Sequence, residues 1–291
     1  MHKKNSTFVP KKMESSKRIK QKIWLTVGEL LLLIYISILS INYYSAAKHN
    51  YHQEYMPYKT SDTLRVAIIG DSWAERHYYH QCSIDSLIKE YSGKAAKTVS
   101  FGIGGLTSKE VYNELYRNTH IKHILEAGTD YCIIMAGVND TNQKMSTHYY
   151  KESMKCIINY LLEKDITPII IEIPEYNIEK ALTDQKIHRK LLRYVSMAIT
   201  GTTINCKQQF RNALDELIQE NNYQEKVCII RYMAWNNNYE KDLNELYTDD
   251  QMHLNENGYS VLDSVIIKEI LKLEMIKKSC EGKISHDSNL W

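Results

Sequence analysis

The fold is decided by a short apolar run that stops at a glycine just before a serine, Val66-Ala67-Ile68-Ile69-Gly70-Asp71-Ser72-Trp73. Four apolar residues before a glycine predict a strand that is buried on both faces. Gly70 lets the backbone turn where a side chain would collide. Ser72 would then stand at the carboxyl end of a central strand, where open α/β sheets bind their ligands. Gly-Asp-Ser is also common in ordinary turns. For Ser72 to act as a nucleophile, the rest of the chain must therefore supply a base and an oxyanion hole.

Apolar runs that predict strands alternate with helical patterns along the chain. The predicted strands are 64–69, 97–103, 131–136, 167–173 and 226–233. The predicted helices are 77–91, one from 108, 119–127, 148–164, two within 183–222, and 259–276, with an irregular stretch at 234–248. This alternation predicts an α/β fold, a three-layer α/β/α sandwich around a mainly parallel five-stranded sheet.

Three of the predicted strands end in glycine with a polar residue nearby. These turns are Gly70-Asp71-Ser72, Gly104-Gly105 and Gly137-Val138-Asn139. A parallel sheet brings the carboxyl ends of its strands to one edge. The sequence therefore predicts that the three turns meet there.

The chain also offers a base and oxyanion donors for a serine nucleophile. A serine hydroxyl needs a base to take its proton, and Asp250 precedes His253 by three residues, a spacing that lets the carboxylate orient the imidazole. Such a pair alone is more often a helix cap or a surface pair. The backbone N–H groups of Ser72 and Gly105 and the side-chain amide of Asn139 are candidate oxyanion donors, although glycines and asparagine also serve plain turns.

Together these blocks resemble the SGNH (GDSL-type) hydrolase superfamily, across Gly70 to His253. The resemblance implies Ser72 as nucleophile, Gly105 and Asn139 as oxyanion donors with Ser72, and His253 as base beside Asp250. It also implies the three-layer fold. This chain departs from the pattern at Trp73, where the name-giving leucine would stand, and at Ser100, where asparagine is common. Gly104 and Asp249 are the neighbouring alternatives to Gly105 and Asp250, and Asp71 and Asp140 are interpreted as structural carboxylates.

Charge is unevenly distributed along the 291 residues. Eight of the 37 basic and two of the 35 acidic residues precede residue 45, which leaves 29 basic and 33 acidic residues and a net charge of −4. A mildly acidic body argues against nucleic acid as a partner. Residues 23–44 are about long enough to span a bilayer and carry aromatic residues at both ends. The basic residues before them place the N-terminus in the cytoplasm, and Glu29 is the one flaw in the span.

The predicted organisation is therefore a basic cytoplasmic tail (1–22), a single-pass transmembrane signal anchor (23–44), a juxtamembrane linker (45–63), an extracytoplasmic hydrolase domain (64–276) and a loose polar tail (277–291). Of the six cysteines, Cys132 and Cys228 are predicted to be buried thiols, while Cys206 and Cys280 are the better disulfide candidates. No cysteine or histidine cluster suggests a metal, and no cofactor is expected. The sequence does not indicate an oligomeric state.

The leading functional hypothesis is a membrane-anchored serine esterase that removes acyl groups, above all O-acetyl groups, from a glycan or a related small ester. The substrate is inferred from the predicted location and from the family resemblance. Trp235, Tyr239 and Tyr247 precede the base and could stack on sugars, although core packing explains them equally. One alternative is an O-acetyltransferase that uses the same Ser-His-Asp site in surface polysaccharide modification. The other is a catalytically silent glycan-binding or assembly protein.

Overall fold

The computed structural model of the protein describes residues 11–46, 56–59, 62–80, 84–183 and 187–287, with the backbone alone for 11–19, 38–46, 182 and 280–287. The chain forms two compact units, residues 1–50 and 51–291. The first unit contains one helix, α1 (Lys11–Ala46). No helix in the described part of the chain is both long enough and apolar enough to cross a membrane.

Several predicted segments fall partly outside this description. The predicted anchor 23–44 lies within α1, but the side chains of its residues 38–44 are not described. Most of the predicted linker, at 47–55 and 60–61, and the last residues of the tail, 288–291, lie outside the described residues.

The second unit is built on a five-stranded parallel sheet. Its strands are β1 (Leu64–Gly70), β2 (Ala96–Gly102), β3 (Tyr131–Met135), β4 (Thr167–Ile171) and β5 (Cys228–Ile230). They lie in the order β2-β1-β3-β4-β5, and every neighbouring pair is parallel. The predicted five-stranded sheet is confirmed, with β1 between β2 and β3.

Helices cover both faces of this sheet. They are α2 (Ser72–Tyr79), α3 (Ile84–Ser92), α4 (Ser108–Arg117), α5 (Thr119–Glu126), α6 (Val138–Gln143), α7 (Thr147–Leu162), α8 (Ile178–Thr183), α9 (Ile187–Thr200), α10 (Lys207–Glu220), α11 (Tyr239–Leu246) and α12 (Glu256–Asp287). The run that predicted β1 contributes alternate residues to two separate cores. Ala67 and Ile69 pack with α4, α5, α7 and α10, while Val66 and Ile68 pack with α2, α3 and α12. This arrangement confirms the three-layer sandwich and explains the unbroken apolar run.

Four predicted boundaries were wrong, each for a local reason. The helix predicted at 77–91 is two helices, and the first begins at Ser72 because the Asp71 carboxylate caps it. The stretch 234–248 is not irregular throughout, since Asn238 caps α11. The strand predicted at 226–233 pairs over only three residues, 228–230. The last helix continues to Asp287, although the tail after 277 was predicted to be loose.

The described cysteines are free thiols. Cys132 is buried, as predicted, whereas Cys228 is only half-buried. Cys206 was a disulfide candidate but is a buried free thiol whose Sγ lies 3.4 Å from the carbonyl oxygen of Thr141. The side chain of Cys280 lies outside the described residues.

Candidate active site

The three glycine-containing turns meet at the carboxyl edge of the sheet because β1 is flanked by β2 and β3. A Cβ built on Gly104 would lie 3.9 Å from Ser72 Cβ, so the turn after β2 reaches the serine. From the turn after β3, Asn139 Nδ2 donates to Asp71 Oδ2 at 3.3 Å. The predicted meeting of these turns is therefore present in the structure.

Ser72 is the first residue of α2, and two glycines let this helix start so close to the sheet. A Cβ on Gly70 would come within 2.0 Å of the carbonyl oxygen of Met135 in β3. A Cβ on Gly102 would come within 2.0 Å of the backbone nitrogen of Glu75 in α2. Backbone atoms cannot give way to such contacts without moving the helix. The absence of a side chain at both glycines therefore allows Ser72 to lie this close to the neighbouring strands.

A continuous chain of hydrogen bonds joins Ser72 to His253 and Asp250. Ser72 Oγ lies 2.8 Å from His253 Nε2, and His253 Nδ1 lies 2.6 Å from Asp250 Oδ2. The other carboxylate oxygen, Asp250 Oδ1, accepts the backbone N–H groups of Met252 and His253, each at 2.9 Å, and the Thr248 hydroxyl at 2.8 Å. Asp249 has no part in this chain, since its described contact is a backbone carbonyl that accepts from Lys180 Nζ.

The electrostatic environment of Asp250 favours its ionised form. Partial burial raises the pKa of this carboxyl, but the hydrogen bonds from His253 and from the backbone lower it more. The net result is a pKa well below the usual range for aspartate. Arg76 adds a second positive partner, with Nη2 at 3.4 Å from Asp250 Oδ2. Sequence reasoning missed Arg76, although it lies one helical turn beyond Ser72 on α2.

The candidate oxyanion donors differ in their resting state. Among the described residues, the backbone N–H groups of Ser72 and Gly105 have no hydrogen-bond partner. Asn139 Nδ2, by contrast, already donates to the carbonyl oxygen of Leu106 at 3.0 Å and to Asp71 at 3.3 Å. Gly105 has a φ of +86°, which side chains rarely adopt, whereas a Cβ on Gly104 would strike Glu75 Oε2 at 2.7 Å. The backbone conformation therefore favours glycine at position 105, whereas a side chain at position 104 would only displace the end of the flexible Glu75 side chain.

Two buried carboxyl groups brace the turns, as the sequence suggested for Asp71 and Asp140. Asp71 Oδ1 accepts the N–H of Trp73 at 2.9 Å. Asp140 accepts both the N–H and the hydroxyl of Ser108, at 2.8 and 2.6 Å, and so joins α6 to the start of α4. Burial raises the pKa of Asp71 to about 8 and the pKa of Asp140 to about 6.

The raised pKa of Asp71 predicts a pH-dependent stability. Because this pKa is about 8 in the folded protein against a usual value of 3.8, the folded state binds more protons between these limits. Stability should therefore fall as pH rises from about 4 to about 8. Asp71→Asn keeps an oxygen for the Trp73 N–H but cannot ionise, so the melting temperature should fall less across this range. Thermal unfolding followed by circular dichroism measures the melting temperature against pH for both proteins. Asp249 is exposed, so Asp249→Asn is the control that should keep the wild-type slope. Parallel slopes for wild type and Asp71→Asn would contradict the raised pKa.

Two buried contacts that were not predicted from the sequence join helix α2 to helix α12. His77 Nε2 on α2 lies 2.6 Å from Asp263 Oδ1 on α12, and both side chains are buried. The Tyr259 hydroxyl donates to the carbonyl oxygen of Trp73 at 2.9 Å. These contacts join the helix that begins with Ser72 to the helix that follows His253.

The aromatic residues before His253 are mostly core residues. Trp235 and Tyr247 are 5% and 4% exposed, and the Trp235 ring packs against Trp73 at 6.0 Å between centroids. Tyr239 contacts the Tyr247 ring and donates to the backbone oxygen of Gln251 at 2.8 Å. The suggested stacking of Trp235 and Tyr247 on sugars is therefore wrong, because their faces are covered.

Comparisons with solved structures agree with this fold. A lipase/acylhydrolase from Enterococcus faecalis matches with a TM-score of 0.51 and 16% identity, over 71% of this chain and 95% of that chain. An acetyl xylan esterase matches with a TM-score of 0.50 and 16% identity, over 71% of this chain and 100% of that chain. At such low identity these matches show the fold alone. No curated protein matches this sequence.

The sequence profile of the GDSL-like lipase/acylhydrolase family matches residues 68–261. This span includes the serine turn, both turns that supply candidate oxyanion donors, and the loop that carries Asp250 and His253. It extends over more than half of the chain. The protein belongs to the GDSL-like lipase/acylhydrolase family and is a serine hydrolase that acts on ester bonds.

Proposed function

We propose that the protein removes small acyl groups, above all O-acetyl groups, from a glycan or a related small ester, with Ser72 as nucleophile, His253 as base and Asp250 as its orienting carboxylate. The observation that carries these roles is the unbroken chain from Asp250 Oδ2 through His253 to Ser72 Oγ, with distances of 2.6 and 2.8 Å. Serine, histidine and aspartate in this order form the arrangement that activates a serine hydroxyl.

Acylation begins when His253 Nε2 accepts the proton of Ser72 as Oγ attacks the ester carbonyl carbon. The imidazole becomes positively charged, and the ionised Asp250 stabilises that charge through Nδ1. The carbonyl oxygen becomes an oxyanion beside the Ser72 and Gly105 N–H groups, which have no other described partner. The protonated His253 then donates its proton to the departing alcohol, which leaves an acyl group on Ser72.

Deacylation repeats these steps with water. His253, neutral again, accepts a proton from a water molecule as its oxygen attacks the acyl carbon on Ser72. The second oxyanion is stabilised by the same donors. When it collapses, His253 returns the proton to Ser72 Oγ and the free acid leaves. If a sugar hydroxyl replaced water here, the same residues would transfer the acyl group instead.

Acidic surroundings of the serine support a small and polar acyl group. Glu75 and Ser72 both lie beside Gly104, since a Cβ built on this glycine would be 2.7 Å from Glu75 Oε2 and 3.9 Å from Ser72 Cβ. A carboxylate beside the same turn as the serine disfavours a long apolar chain, which would desolvate it. An acetyl xylan esterase among the structural neighbours supports the acetyl group and the glycan by analogy.

The experiment that tests this function is an activity screen with acyl esters of increasing chain length, followed by acetylated oligosaccharides. Activity should be highest with acetyl esters, and acetate should be released from the oligosaccharides. Glu75→Gln should raise the rate of hydrolysis of longer acyl esters relative to that of acetyl esters, because it removes the charge that limits chain length. A preference for long acyl chains would contradict the proposal, and acetyl transfer to an added oligosaccharide at the expense of acetate would make the enzyme a transferase.

Asn139→Ala should lower kcat by about 10²–10³-fold with little change in KM, as expected when one oxyanion donor is lost. The resting amide donates to Leu106 and, over a longer distance, to Asp71. The weaker bond to Asp71 is the one an oxyanion would replace, so the gain arises mainly in the transition state. Steady-state kinetics with an acetyl ester measure the change. An increase in KM at constant kcat would instead make Asn139 a ground-state binding residue.

We propose that residues 23–44 anchor the enzyme in the cell membrane and that the catalytic unit lies outside the cytoplasm. The support is the sequence itself, with eight basic residues before an apolar run flanked by aromatic residues. A reporter that is active only in the cytoplasm should therefore be silent when fused after Trp291. The same reporter fused at the N-terminus should be active, and a reversed pattern would overturn the orientation.

A further inference from the structure

Helix α9 exposes its apolar side chains to solvent and buries a charged one. Arg193 is the one buried side chain of its 14 residues, at 7% exposure. Six large apolar side chains point away from the body and are 48–84% exposed, namely Ile187, Leu191, Leu192, Tyr194, Val195 and Ile199. Helices of globular proteins normally bury the apolar face. An exposed apolar patch of this kind marks a surface that something else covers.

The charged residues of α9 are all basic, namely Arg189, Lys190 and Arg193, and the helix has no acidic residue. Arg193 is buried on the inward side, whereas Arg189 is exposed and Lys190 is half-buried, so that these two lie at the borders of the apolar face. Lys190 and Arg193 line a cavity of about 130 Å³ together with Met197. Arg193 Nη1 is buried and has no hydrogen-bond partner among the described residues. This local charge contrasts with the net −4 of the residues after the anchor and complements an anionic surface.

A second copy of the chain suits this surface less well than a lipid bilayer does. A symmetric contact between two copies brings the same surface patch against itself, and α9 would then face its own basic residues with no acidic residue to pair with them. A bilayer does not require such a complementary partner. Amphipathic helices rich in arginine and lysine bind its surface by burying their apolar face at the acyl boundary, and anionic headgroups strengthen the attachment.

The position of α9 connects this surface with the candidate active site. At its end, the Thr200 hydroxyl donates to the backbone oxygen of Lys144 at 3.2 Å, directly after α6, the helix that carries Asn139. Before its start, Lys180 on α8 donates to the backbone oxygen of Asp249, beside Asp250. The end of α9 is therefore hydrogen-bonded to the loop after α6, and the preceding helix α8 is hydrogen-bonded to the loop that holds Asp250.

We propose that α9 is a membrane-contact helix, which places its apolar face in an anionic phospholipid bilayer and brings Arg189 and Lys190, at the borders of that face, to the phosphates. Bilayer contact would hold the candidate active site near the membrane surface and its acylated molecules. This surface is distinct from the predicted anchor and does not depend on the proposed esterase activity.

Site-specific photo-crosslinking in the full chain tests this contact. The photoreactive residue p-benzoylphenylalanine replaces Leu191 in one variant and Tyr91 in a control, because Tyr91 on α3 is equally exposed at 66% against 65%. Each protein is reconstituted with phosphatidylcholine vesicles, with and without phosphatidylglycerol, and irradiated. Mass spectrometry should find lipid adducts at position 191 and few or none at position 91. Since both variants share any anchor, the anchor cannot produce this difference.

Two further variants separate the contributions of the helix. In the position-191 protein, Arg189→Gln with Lys190→Gln should reduce the adduct about fivefold for each lost charge in vesicles that contain phosphatidylglycerol, and less in phosphatidylcholine alone. Leu192→Asp should reduce it in both, while hydrolysis of a water-soluble acetyl ester stays unchanged. Adducts with a second protein chain, equal lipid adducts at positions 191 and 91, or no lipid adduct would each overturn the proposal.

Discussion

Ser72→Ala is expected to lower ester hydrolysis by about 10⁶-fold, close to complete inactivation, because removal of the nucleophile leaves only binding and the oxyanion donors. The fold should be unaffected, since the described partner of the hydroxyl is His253 Nε2 and no packing depends on it. A serine-directed phosphonate should label the wild-type protein at Ser72 and leave the variant unlabelled. Thermal unfolding of the two proteins should coincide.

Ser264→Ala is a matched control for this result. Ser264 is exposed on α12 and donates to the backbone of the preceding turn. This variant should keep full activity and full labelling at Ser72. Phosphonate found on a different serine, or a Ser72→Ala protein with substantial activity, would refute the assignment of the nucleophile.

His253→Ala is expected to be nearly as damaging as Ser72→Ala, and Asp250→Ala about 10–100-fold less so. The imidazole accepts and returns a proton in every cycle, whereas the carboxylate orients the ring and stabilises its charge. Asp249→Ala is the matched control, because this neighbour makes no side-chain contact with the histidine among the described residues. Rates of acetyl ester hydrolysis measure all three. If Asp249→Ala proved the most harmful aspartate variant, the loop before His253 would have to be reinterpreted.

The pH profile gives a second readout of the same pair. Wild-type activity should decline as pH falls, because a protonated imidazole cannot act as a base. The residual rate of His253→Ala should lack this acid limb. The pKa of Asp250 lies well below its usual range, so this carboxylate keeps its charge across the pH range of the assay. A decline that remained in His253→Ala would have to come from another group.

The sheet and the arrangement of the candidate site were predictable from sequence because both depend on local signals. Apolar β-branched runs defined β1 and β3, and the glycines after them marked turns that a parallel sheet necessarily brings together. The aspartate three residues before His253 could be predicted from its spacing together with the family resemblance. Predictions were less successful where tertiary contacts decide, as at the start of α2, where Gly-Asp-Ser is both a turn and a helix cap.

Contacts between distant segments were beyond sequence reasoning. Nothing in the chain near His77 indicates that Asp263, 186 residues later, would be its partner. Arg76 could have been considered from its helical spacing to Ser72, but its contact with Asp250 depends on how the last loop folds. The exposure of the apolar face of α9 was not predicted either, since an amphipathic pattern indicates an apolar face without showing whether it faces the core or the solvent.

The contacts between α2 and α12 make the proposed activity depend on segments that are far apart in the chain. Ser72 and the candidate oxyanion donors are all made by residue 139, but the proposed base is residue 253 and the helix that contacts α2 follows it. Because 181 positions separate Ser72 from His253, the serine turn is without its base while all five strands are synthesised. A nascent chain should therefore gain hydrolytic activity only after His253 has been made and can reach Ser72.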